Sequence, residues 1–93
     1  MTYEYAERKL DELFNKALEH IDRINQMIEP DADWLDMSLW SSRKYDAVSN
    51  YSAAAHTVIE IYIELNAGAE DWRKLHEISW RNREKLDIEA KSN

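Results

Sequence analysis

The sequence predicts an all-α protein, an antiparallel three-helix bundle, on three observations. The 93 residues include one Gly and one Pro, whereas β-sandwiches, barrels and doubly wound folds need many tight turns that draw on those residues. Three long segments carry apolar residues at three- and four-residue steps, the period of a helix with one buried face. The breaks between them hold Pro30 and Gly68, two residues that stop helices for different reasons. A chain of this length builds one core, and 44% hydrophobic with 33% charged residues is a folded rather than a disordered composition. One helical domain over 1–93 is expected.

The first helix is expected over about 3–28. Tyr3, Ala6, Leu10, Leu13, Phe14, Ala17, Ile21, Ile24 and Ile28 stack on one stripe. Thr2 stands at the N-cap position, and Glu4 and Glu7 favour the positive end of the helix dipole. Pro30 closes the segment by forcing the residue before it out of the α region. The connector, 30–42, is expected to hold one or two turns of extra helix, capped by Asp31 or Asp33 and carrying Trp34, Leu35 and Met37. Its apolar residues are read as a cover for the open end of the core.

The second helix is expected over about 43–66, capped by Ser41 or Ser42 and stopped beyond its end by Gly68. Ala47, Val48, Tyr51, Ala54, Ala55, Val58, Ile59, Ile61, Tyr62 and Leu65 cover an arc wider than one neighbour requires. This helix is therefore expected to be sandwiched between the other two. The third helix, about 69–90, has the thinnest stripe: Trp72, Leu75, Ile78, Ser79, Asn82 and Leu86. The short break around Gly68 makes it an antiparallel hairpin with the second.

Charge is unevenly distributed along the chain. Of the net −7, residues 1–29 contribute −3 and residues 30–42 contribute −3 with no base among them; 43–66 contribute −1 and 67–93 are neutral. An anionic half repels phosphate, which disfavours direct binding to nucleic acid or to anionic lipid and favours a basic partner. No apolar run approaches the roughly 20 residues of a membrane span. The N-terminus is acidic and aromatic, unlike a secretory leader, and a cytoplasmic protein is expected.

Tests for chemistry are mostly negative. Zero Cys removes disulfides, thiolate metal sites and cysteine nucleophiles, and one Gly leaves no phosphate-cradling loop. His20, His56 and His76 fall one per helix, with neither a His-x-x-x-His pair nor a Glu three residues ahead. The hairpin would bring His56 and His76 level, at the edges of their stripes, where ordinary hydrogen bonding suits them better than metal. Asp31, Asp33 and Asp36 begin like a calcium loop but lack its Gly and its closing Glu. The pairs Glu4-x-x-Glu7, Glu19-x-x-Asp22 and Glu84-x-x-Asp87 have the spacing of a magnesium-dependent nucleotide pyrophosphatase, but they point away from the apolar stripes. Neither cofactor nor metal is expected.

Aromatic placement points to contact with other proteins. Trp34 sits among Glu29, Asp31, Asp33 and Asp36, with Trp40 at the far end of the connector. These six form the candidate surface for a basic protein. Trp72 lies on the stripe of the third helix and is expected in the core. Trp80 lies off it, on a face with Arg73, His76 and Arg83; with Ile88, also off the stripe, it suggests a weak homodimer through Arg73, Trp80, Arg83 and Ile88. The leading reading is a small acidic non-catalytic module that binds and blocks a basic, nucleic-acid-binding protein, as immunity proteins and phage anti-defence inhibitors do. A homo-oligomeric bundle and a magnesium-dependent hydrolase are the alternatives.

Overall fold

The structure is a computed structural model and describes residues 1–92. Three helices carry the chain: α1 (Tyr3–Met27), α2 (Trp34–Leu65) and α3 (Trp72–Lys91), with no strand among the described residues. They form an up-down-up bundle in which every pair of helices is in contact. The packing is therefore triangular, and α2 is not sandwiched as its wide arc suggested.

Each helix end has an identifiable cause. Thr2 Oγ1 accepts from the Tyr5 amide at 3.1 Å, the expected cap of α1. Asp33 caps α2 in the same way, accepting from the Asp36 amide at 2.8 Å. The second helix thus begins nine residues earlier than its expected start at Arg43, and the connector's extra helix is simply its first turns. Ser41 and Ser42 lie inside the helix rather than at its cap. Past Leu65, the Ala69 amide donates to the Asn66 carbonyl at 3.0 Å across a turn with Gly68 at φ +89°. That third turn position needs a left-handed residue, which explains the single Gly. The third helix starts at Trp72 rather than Ala69. Asp71 makes no side-chain cap bond, because its carboxylate instead accepts the Tyr62 hydroxyl at 2.7 Å.

Ala6, Leu10, Ala17 and Ile21 of α1 pack with Ala47, Val48, Tyr51, Ala55, Ile59 and Tyr62 of α2 and Leu75, Leu86 and Ala90 of α3. Burying each Leu or Ile here is worth about 2 kcal/mol. Ring edges bind the layers: Tyr3 meets Tyr62 at 6.2 Å and Phe14 meets Tyr51 at 6.4 Å, both near perpendicular. Asn82, buried on the α3 stripe, donates to the Tyr51 hydroxyl at 3.0 Å, so its amide is not left unpaired. Trp72, expected in the core, is half-buried at its margin. Ile61 and Leu65 also fall outside it and are exposed.

Lys44 is buried beside the C-terminal ends of α1 and α3, a placement that its residue type did not suggest. Its ammonium donates to Asn25 Oδ1 at 2.9 Å and to the Ser92 carbonyl at 2.8 Å, joining all three helices. The Asn25 amide in turn donates to the Glu89 carbonyl at 3.5 Å. Burial lowers the pKa of this lysine below the ordinary lysine value.

Candidate functional site

The level of Lys44 fixes where the helices end. With Lys44 bonded to Asn25, the last residue of α1 lies level with about residue 42, so α2 starts about 12 Å beyond it at 1.5 Å per residue. Ser92 also sits level with Lys44, and α3 therefore stops about 15 Å short of the start of α2. The result is an overhang, residues 34–43, visible in a molecule 54 Å long and only 17 × 15 Å across. The six-residue loop 28–33 covers part of it, held by an Ala32 amide to Glu29 carbonyl bond at 3.1 Å.

No helix packs on most of the overhang, and its apolar side chains stay in solvent. Trp34 is 80% exposed; Leu35, Leu39 and neighbouring Met27 are each more than half exposed. Trp34, Leu35 and Leu39 therefore do not cover the end of the core, contrary to expectation, whereas Met37 and Trp40 are half-buried. The reason is geometric, since a helix that outruns both neighbours has nothing beneath it to cover. Leu35 and Leu39 are one turn apart on the side of α2 opposite the core, while Trp34 projects from a different face.

Four acids share this end of the molecule. Glu29, Asp31, Asp33 and Asp36 are all exposed, and none has a basic side chain within ion-pair distance among the described residues. Asp33 caps α2 and Asp36 lies in its first turn, where the positive end of the helix dipole favours negative charge. Trp40, half-buried one turn further on, has the Arg43 guanidinium 5.6 Å from its ring centre. Asp36, Leu39, Trp40 and Arg43 line a shallow depression of about 190 Å³. All six residues expected at the partner surface thus lie at one end of the molecule. Leu35, Leu39 and Met27 belong with them; the two leucines lie in the connector, whose apolar residues the sequence suggests as a cover for the core, and Met27 lies off the stripe of α1.

The residues expected to mediate self-association border different seams of the bundle. Trp80, 67% exposed, and Arg83 border the α2–α3 seam with His56. Ile88, 65% exposed, borders the α1–α3 seam with Phe14 and Leu18. Arg73 is exposed near the start of α3, its guanidinium over the ring of Trp72 at 5.5 Å.

The other chemical candidates stay dispersed. Among the described residues no group of three His, Asp or Glu is placed to hold a metal ion. His56 and His76 do come level, but His56 pairs with Glu60 on its own helix at 2.9 Å. Glu4 and Glu7 border the α1–α3 seam beside Arg8 and Asp11. No helix among the described residues is long and apolar enough to cross a membrane. No family model matches this chain, and no curated protein or solved structure shows significant similarity to it.

Proposed function

We propose that the protein is a non-catalytic interaction module whose α2 overhang docks on a basic protein. The observation that carries this reading is the composition of the overhang and the loop before it: an 80%-exposed Trp at the same end as four exposed acids, with no base between residues 30 and 42. Large apolar side chains held in water at a molecular tip disfavour the free state and mark a docking surface. The acids choose the partner, because only a basic surface recovers the free energy of concentrating negative charge there. A second copy of this chain would bring two acidic tips together and is disfavoured by the same charges. The class of partner that fits best is a nucleic-acid-binding protein whose basic face the overhang occludes.

The test uses a photo-crosslinking residue in place of Leu35, which is exposed and touches no core residue, in cells that make the protein. A basic cross-linked protein, lost when Asp31, Asp33 and Asp36 are all changed to Asn, is the expected result. Cross-linking only to a second copy of the chain, or to partners retained by the triple variant, would overturn the reading.

A further inference from the structure

A second surface, on the other side of the molecule from the acidic charge, has a different chemistry. Along the α2–α3 seam, Ser52, His56 and Ile59 of α2 face His76, Ser79, Trp80 and Arg83 of α3 across a groove of about 170 Å³. No carboxylate lines it, in a protein with 19 acids. Glu60 is paired with His56 Nε2 at 2.9 Å, and Asp87 lies one turn beyond Arg83 on α3. Arg83 makes no ion pair within 4 Å among the described residues. Ser52 Oγ is buried and has no hydrogen-bond partner there, a state that costs about 1–3 kcal/mol unless something else satisfies it. A guanidinium, the His76 imidazole and an orphaned hydroxyl therefore line one groove that no carboxylate enters, with His56 held by Glu60 at its edge.

We propose that this groove binds a phosphomonoester carried on an aromatic group, a nucleoside monophosphate being the class that fits. The phosphate oxygens accept from Arg83 and from a ring N–H of His76, and from the Ser52 hydroxyl once it turns toward the groove, all charge-assisted by the dianion. The groove is smaller than the roughly 300–1,000 Å³ of a pocket that engulfs a whole ligand. Only the phosphate enters it, and the base stacks on the exposed ring of Trp80 at the rim. Nucleic acid is a poorer occupant, because a continuous phosphate backbone would extend past the groove along a protein of net charge −7. This site is independent of the docking tip, whose overhang ends nine residues before Ser52 on α2.

The experiment is an amide and indole NMR titration at constant ionic strength with adenosine monophosphate, inorganic phosphate, adenosine and a short single-stranded oligonucleotide. Adenosine monophosphate is expected to saturate shifts at residues 52, 56, 76, 79 and 83 and at the Trp80 indole. Inorganic phosphate should shift the same residues except the indole, with about tenfold weaker affinity. Arg83→Gln should weaken both ligands at least about tenfold. Trp80→Ala should remove only the advantage of the nucleotide over phosphate. Both side chains are exposed, so neither change threatens folding, and unchanged spectral dispersion elsewhere verifies it. Shifts that fail to saturate by about 10 mM, well above the ~1 mM a small single site supports, would overturn the proposal. So would adenosine binding as well as its monophosphate, or an oligonucleotide binding more tightly than either.

Discussion

Lys44 shows how much of this fold rests on single polar contacts. Its stem is packed in the core while its ammonium closes the C-terminal ends of two helices. Lys44→Ala removes both the packing and the two bonds and should cost about 2–4 kcal/mol in urea unfolding. Lys44→Met restores most of the packing and should cost about half as much. Equal losses would show that the ammonium bonds alone hold the three helices there. The sequence offered no sign of this role, because a lysine between Arg43 and Tyr45 reads as solvated and only the convergence of three helix ends buries it. Tyr62 is a second such residue. Its hydrogen bond to Asp71, with burial, pushes its pKa up to about 12. A raised pKa means that the folded state holds the proton more tightly than the unfolded one. The stability it contributes is present below pH 10 and is lost as pH rises from 10 through 12. Tyr3 and Tyr51 are raised in the same direction by burial. Lys44, lowered instead, has the opposite sign, favouring the fold with rising pH up to its ordinary value. The difference between parent and Tyr62→Phe isolates the tyrosine. The two urea midpoints should be furthest apart below pH 10 and converge by pH 12; a gap constant across that range would mean that the Asp71 bond does not govern the titration.

At the scale of elements, the three helices and the Gly68 turn were legible because each rests on a local rule. Periodic apolar residues give the helices, Thr2 and Pro30 bracket the first, and one left-handed position marks the second turn. The start of α2 was not legible, for a physical reason. Residues 34–40 pack on no neighbouring helix for most of their circumference, so Trp34, Leu35, Met37 and Leu39 show no buried stripe to read. Ser41 and Ser42 look like caps, yet a serine inside a helix costs only about 0.5 kcal/mol. Asp33 decides the boundary by capping earlier. Asp33→Ala should cost about 1 kcal/mol locally and expose the amides of residues 34–39 to faster hydrogen exchange, with the core amides unaffected. Asp33→Asn should leave that exchange unchanged, since Asn caps equally well. The pair separates the charge of Asp33 from its structural role. Accelerated exchange at Ala55 or Ile59 in the Ala variant would show that the overhang is coupled to the core after all.

At the scale of the whole molecule, one core serves all three helices and one end carries the charge. Ile59 is 1% exposed where the helices converge. Ile59→Asp puts an unpaired carboxylate there, at a cost above about 3 kcal/mol, and should abolish the cooperative thermal transition seen by far-UV circular dichroism. A variant that melts like the parent would contradict the triangular core. The candidate site was legible in part: Trp34 and its acids were evident from charge and spacing along the chain. That the connector extends α2 into a tip depends on how far each helix runs, which no local pattern encodes. Complementary charge acts mainly on the rate of encounter and the buried ring on the rate of escape. The most direct measurement is therefore the association rate between this protein and its cross-linked partner at low and high salt, for the parent and for the Asp31→Asn, Asp33→Asn, Asp36→Asn triple variant. The parent should associate more slowly as salt rises, and the triple variant should start slower and lose most of that dependence while its dissociation rate holds. A parent association rate indifferent to salt, or matched by the triple variant, would contradict the assignment of the acidic tip as the docking surface.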